Sequence, residues 1–126
     1  MPNPATQELE GVNFEVHAFL AGAAPATAAN YGNFWIAPYK CVVEAVTARW
    51  SANSSSGTVT VHKVPSATAQ DSGTALLTST ISTASGANTN SAGTVSTTAA
   101  TVELAAGDAL QLVDSGTLTS LTDLVV

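Results

Sequence analysis

Apolar residues in this chain recur at every second position, in short runs that end at glycine, proline or small polar residues. This pattern constrains the fold more than any other feature, because a two-residue period marks a half-buried strand. Val12, Phe14, Val16, Ala18 and Leu20 alternate with Asn13, Glu15, His17 and Phe19. Val59 and Val61 alternate with Thr58, Thr60 and His62. Leu110 and Leu112 share one face of a further run. Strands are expected at 12–20, 33–37, 41–50, 57–64, 73–82, 94–104, 109–113 and 118–126. Residues 41–50 and 57–64 read as a hairpin, and Pro65 stops its second strand.

No segment reads as a helix. The alanine-rich stretch 21–30 holds Pro25, and a proline inside a helix costs about 3 kcal/mol. Turns are expected at 105–108, where Gly107 supplies a positive φ, and at 114–116. Strands at a spacing of about 8–12 residues favour sandwiches, jelly rolls and barrels. The expected fold is therefore all-β: a single-domain antiparallel β-sandwich or jelly-roll-like barrel of about eight strands. It spans residues 12–126, with a short extended arm at 1–11. Pro2 and Pro4 favour extended backbone there, and the segment offers little to a core.

At 126 residues a single domain is the natural count. The one cysteine, Cys41, has no internal partner, so packing must hold the fold. Within the apolar run Cys41-Val42-Val43 it reads as an inert, buried thiol.

Charge is scarce. Asp, Glu, Lys and Arg make up 10% of the residues, against roughly 25% in ordinary domains. Residues 16–39 and 72–102 contain none of the four. Ser, Thr, Ala, Gly and Asn take their place, which gives an uncharged but hydrated surface. Such a surface meets another protein at little desolvation cost. The first block holds most of the aromatics and is expected to supply core and subunit contacts. The second is expected to form outward loops and sheet faces.

The net charge is −6, with Lys40, Arg49 and Lys63 as the basic residues. Three cations cannot neutralise a row of phosphates, so no nucleic-acid partner is expected. Nor is a membrane partner, since the same acidity opposes an anionic surface and no run of about 20 apolar residues appears. Residues 1–10 show no basic segment followed by an apolar one, so no secretory signal is read. Synthesis in the cytoplasm is the expectation.

No catalytic motif stands out. There is no G-x-S-x-G elbow, phosphate-binding loop or dinucleotide fingerprint. His17 and His62 have no ligand partner at metal spacing, and the acids form no calcium loop. The expectation is a protein that is not an enzyme, with no cofactor and no metal site. Asp108 beside Gly107 reads as part of a turn.

Candidate contact residues remain. Tyr31, Phe34, Trp35, Tyr39 and Trp50 fit burial in a core or an oligomer interface, and Tyr31, Trp35, Tyr39 and Trp50 also fit stacking on sugars. Glu44 lies in line with Val42, Val46 and Trp50, either at a sheet edge or facing Lys40, Arg49 or Lys63 across a strand or subunit boundary. Glu44 and Arg49 join the interface candidates on that ground.

Three segments carry a family resemblance. They are the Ala/Pro stretch 24–30 leading into Phe34-Trp35-Ile36-Ala37-Pro38-Tyr39, the strand 41–47, and Leu104-Ala-Ala-Gly-Asp-Ala-Leu-Gln-Leu-Val-Asp-Ser-Gly-Thr-Leu118. Over 24–126 the chain resembles head decoration, or cement, proteins of tailed bacteriophages. The resemblance implies a homotrimer on the capsid exterior, bound between capsomers of the major capsid protein and so located in the virion. It also implies that residues 1–12 act as a capsid-binding arm, with Pro2, Asn3, Pro4, Glu8, Leu9 and Glu10 as candidate contacts. The other reading is a receptor- or carbohydrate-binding module of a phage fibre or tail, carried by aromatic stacking.

Overall fold

The computed structural model describes residues 13–23, 27–28 and 31–126. The expected arm, with Pro2, Asn3, Pro4, Glu8, Leu9 and Glu10, lies outside the described residues, as does most of the stretch 24–30. The described chain is all-β. Its strands are β1 (Phe19–Ala23), β2 (Thr27–Ala28), β3 (Tyr31–Ile36), β4 (Cys41–Val42), β5 (Val46–Ala48) and β6 (Thr58–Val64). They continue with β7 (Thr74–Ala75), β8 (Ile81–Ser82), β9 (Ser91–Gly93), β10 (Glu103–Leu104), β11 (Ala109–Thr117) and β12 (Thr122–Val125). One short helix, α1 (Ala99–Val102), and one 3₁₀ turn, Gln70–Ser72, complete the described elements.

β11 is the organising strand. Along one edge it pairs antiparallel with β6, from Ala109↔Val64 to Ser115↔Thr58. Along the other it pairs first with β3 and then with β2. β7 and β8 add to the far side of β6, giving a six-stranded sheet. Leu110, Gln111 and Val113 are all buried. A strand buried on both faces needs apolar residues in both phases, and Ala-Leu-Gln-Leu-Val comes close to that.

On the inner face, Val59, Val61 and Leu110 pack with Trp50, Leu76, Leu77, Ile81, Leu104, Leu118, Leu121 and Leu124. Burying each large side chain stabilises the fold by roughly 1.5–3 kcal/mol. Pro65 ends β6, and the chain then returns across the outer face. Gly73 lies against the Val64 and His62 side chains, and the 3₁₀ turn packs beside β3.

Smaller antiparallel pairs close the domain: β1 with β12, β4 with β10, and β5 with β9. Reciprocal Ala18–Val126 backbone bonds, each 2.9 Å, extend the β1–β12 ladder. Trp50 is the central side chain of this half, 1% exposed. Its indole N–H donates to Asn53 Oδ1 at 3.0 Å, and the same oxygen accepts from the Ala87 amide at 2.9 Å. One ring thus holds two polar loops in place.

Several local expectations are corrected. The hairpin of 41–50 with 57–64 does not form: β5 pairs with β9, and β6 pairs with β11. The long strand 41–50 is interrupted at 43–45. Residues 94–98 are irregular apart from a single Val95–Leu77 bridge, α1 follows, and β10 forms only at the end of the stretch. The turn at 114–116 is absent, because β11 runs through it to Thr117. Gly116 sits in that strand at φ +80°, and a Cβ there would lie 2.6 Å from the Ser56 carbonyl oxygen. This glycine is needed for a close backbone approach, not for a reversal.

The turn at 105–108 forms as expected. Gly107 has φ +91°. The Asp108 amide donates to the Ala105 carbonyl at 3.1 Å, and the Ala105 amide donates to the Asp108 carboxylate at 2.9 Å. Ala37 clasps the turn, accepting from Gly107 N–H and donating to the Asp108 carbonyl, both at 2.8 Å. Much of the second charge-free block is exposed, including residues 78–80, 84–86, 88–90 and 97–100, while Leu76, Leu77, Ile81 and Thr83 anchor it inward.

Candidate functional site

The feature that sets the site is a bulge in β3. Leu110 pairs with Trp35, but Gln111 pairs with Asn33. Phe34 is therefore skipped. A bulge puts two residues opposite one and re-aims the side chains around it. Strict alternation would send Phe34 and Trp35 to opposite faces. Instead both are half-buried against the same core, and both line one groove.

The groove encloses about 580 Å³. Core residues Val61, Leu76, Leu104 and Leu110 reach its floor, and the extended segment 13–17 forms one wall. Phe14 crosses from that wall to the aromatics. Its ring lies 5.6 Å from Trp35, tilted by 53°, and 6.2 Å from Tyr39, edge-on at 70°. Both geometries suit the aromatic quadrupole. Phe14, Tyr39 and Val42 line the groove while remaining 46%, 44% and 53% exposed, so an apolar rim faces solvent. Ile36, at the end of β3, adds another exposed apolar side chain at 64%. Clustered exposed apolar residues of this size mark interaction surfaces.

Polar groups border the groove. Glu15, His17, Lys40 and Glu44 all line it and are exposed. The His17 Nε2–Glu15 Oε2 pair is 3.5 Å apart at high exposure, where ion pairs contribute little. Cys41 is also in the wall, half-buried. Burial pushes its thiol pKa up, and the nearby Asp108 charge adds to the shift. The thiol stays protonated at neutral pH, which suits packing and not nucleophilic attack. Among the described residues, no group of three or more His, Cys, Asp or Glu side chains could hold a metal ion.

The candidates from sequence divide as follows. Phe34, Trp35, Tyr39 and Glu44 meet at the groove. Tyr31 opens β3 opposite Val113. Trp50 is away from the groove in the core. Arg49 is exposed and donates to Asn90 Oδ1 at 3.5 Å. Glu44 makes no ion pair with Lys40, Arg49 or Lys63, so the intrachain option for it is removed. Lys63 instead donates to the carbonyls of Ala100 and Glu103, at 2.5 and 3.1 Å. The chain reading missed Phe14 and Val42. Phe14 sits in phase with residues expected to point inward, and nothing local distinguishes it from Val16.

No known family model, curated protein or solved structure matches this chain.

Proposed function

We propose that this protein is a structural component of a tailed-phage particle. In this reading it is a decoration protein that forms a homotrimer and binds the major capsid protein between capsomers on the capsid exterior. The observation that carries the reading is the apolar, aromatic groove rim of Phe14, Tyr39 and Val42 beside the charge-free stretch 16–39. A chain of net charge −6 repels its own copies, and an uncharged contact region avoids that repulsion. Segments 34–39, 41–47 and 104–118, which carry the resemblance to decoration proteins, surround the groove or lead into β11. Decoration strengthens a shell by binding the assembled form alone, and a trimer gains avidity from three simultaneous contacts. Sedimentation equilibrium tests the assembly. The expected mass is three times the 12.6 kDa chain, and a monomer at micromolar concentration would refute it.

One observation favours a second reading, a carbohydrate-binding module of a phage fibre or tail. The rings of Phe14, Trp35 and Tyr39 meet in an open groove flanked by the Glu15 and Glu44 carboxylates, a composition suited to sugars. Titration with soluble glycans separates the two. Saturable binding that is lost in Trp35→Ala supports the module, and its absence supports assembly.

A further inference from the structure

The outer face of the central sheet carries a polar row that the groove does not use. On this face Val64, Val113 and Ala109 surround Thr60, His62 and Gln111. Gln111 is 0% exposed and Thr60 is 6% exposed. Four of their side-chain atoms are buried with no hydrogen-bonding partner in the protein: Thr60 Oγ1, His62 Nδ1, Gln111 Nε2 and Gln111 Oε1. Buried polar atoms in native proteins find partners, and several unpaired ones together call for a common partner.

Register brings them together. His62 and Gln111 are directly opposed across the β6–β11 ladder. Thr60 is two residues along the same strand, on the same face and diagonal to Gln111. Directly opposed residues place their Cβ atoms about 4.5–5.5 Å apart, and diagonal ones about 7–8 Å. A direct Gln111–His62 bond satisfies only two of the four atoms. It leaves Gln111 Oε1 and Thr60 Oγ1 unpaired.

The donor set selects the ligand. Gln111 offers two N–H donors and a carbonyl acceptor, Thr60 a hydroxyl that does either, and His62 Nδ1 either according to tautomer. A cation asks for acceptors only, and an anion for donors only. A neutral molecule that both donates and accepts fits the mixture. The surroundings are tight, since a Cβ at Gly73 would lie 3.1 Å from His62 Cβ. That leaves water as the size that fits, and internal waters make about three hydrogen bonds each.

We propose that Thr60, His62 and Gln111 form an internal hydration site, holding ordered water between the β6–β11 ladder and the returning segment 65–73. The water ties β6 to β11 through side chains, in addition to their backbone ladder.

Water-to-protein NOE spectroscopy on the ¹⁵N-labelled protein tests the site. The expected result is cross-peaks between water and the Gln111 side-chain amide protons, with the sign of a long-lived complex. These should persist in Thr60→Val, where no hydroxyl can relay exchange, and the backbone pattern of β6 and β11 should be unchanged. Loss of the cross-peaks in Thr60→Val would identify hydroxyl relay and overturn the proposal. So would their absence in the native protein, whether or not through-hydrogen-bond coupling joins Gln111 Nε2 to His62 Nδ1. The native measurement stands even where a variant fails to fold.

Discussion

Phe34 and Trp35 are consecutive residues of one strand, yet both side chains line the same groove. The β3 bulge opposite Leu110 and Gln111 causes this, and without it the groove loses one of its aromatic walls. The rim that results is where the proposed assembly meets its most direct mutational test.

Val42→Ser removes exposed apolar surface and little else, and should change folding stability by no more than about 0.5 kcal/mol, as surface substitutions do. Tyr39→Ser also removes the edge contact with Phe14, and should cost about 0.5–1.5 kcal/mol. Self-association should weaken by tenfold or more, since a hot-spot residue contributes about 2 kcal/mol. Thermal melts combined with sedimentation equilibrium read both effects. An unchanged association constant in both variants would remove the groove rim from the interface.

Two glycines with positive φ should respond differently to alanine. A Cβ at Gly107 meets nothing closer than Ser66 Cβ at 3.9 Å. Its cost should be the left-handed penalty alone, about 1–2 kcal/mol. A Cβ at Gly116 lies 2.6 Å from a backbone oxygen. It should cost that penalty and more, because the 51–57 loop before β6 must move. Urea unfolding of Gly107→Ala and Gly116→Ala compares them, and equal midpoints would contradict the packing described around β11.

Ser54 and Thr83 share a buried hydroxyl–hydroxyl bond of 2.7 Å, and Ser54 Oγ also accepts from the Gly57 amide at 2.9 Å. Thr83→Val keeps the shape and removes the hydroxyl–hydroxyl bond, while Ser54 Oγ still accepts from Gly57. Losing one such hydrogen bond costs about 0.5–1.5 kcal/mol. Denaturant unfolding should show a loss in that range, with the 51–57 loop amides exchanging faster.

His62 carries the clearest expected pH effect. Burial lowers its pKa below the ordinary 6.5. Its partners across the ladders, Gln111 on β11 and Ala75 on β7, are uncharged and offset nothing. The unfolded chain therefore takes up the proton first as pH falls. The contribution to stability is whole above about 6.5, declines as pH drops through the window between the two pKa values, and then levels off. Stability curves for the native protein and His62→Gln should diverge in that window. The variant should lack this part of the slope.

Sequence reading and structure agree where the determinants are local. The Gly107–Asp108 turn needs one glycine and one carboxylate, both adjacent, and it forms. Leu110 and Leu112 share a face as their spacing requires. The 41–50/57–64 hairpin fails because periodicity reports which face a residue occupies and says nothing of which strand lies beside it. β6 finds β11 about fifty residues away in the chain, and burial on both faces of β11 drives that choice. Asp114-Ser115-Gly116 has turn composition, but Gly116 serves the approach of Ser56, a contact invisible from its neighbours. The groove was half legible. Phe34, Trp35 and Tyr39 stand out as an aromatic cluster, whereas the bulge that aligns the first two is a one-residue register shift between distant strands. Trp50 looked equivalent by composition and proved to be core, held by Asn53.

The most direct test of the proposed function is binding to expanded, undecorated tailed-phage capsids, followed by cryo-electron microscopy. The account predicts saturable occupancy of three-fold or quasi-three-fold positions, three chains to each. It also predicts that Tyr39→Ser and Val42→Ser reduce the occupancy. Capsids that remain bare at saturating concentrations of folded protein would contradict it.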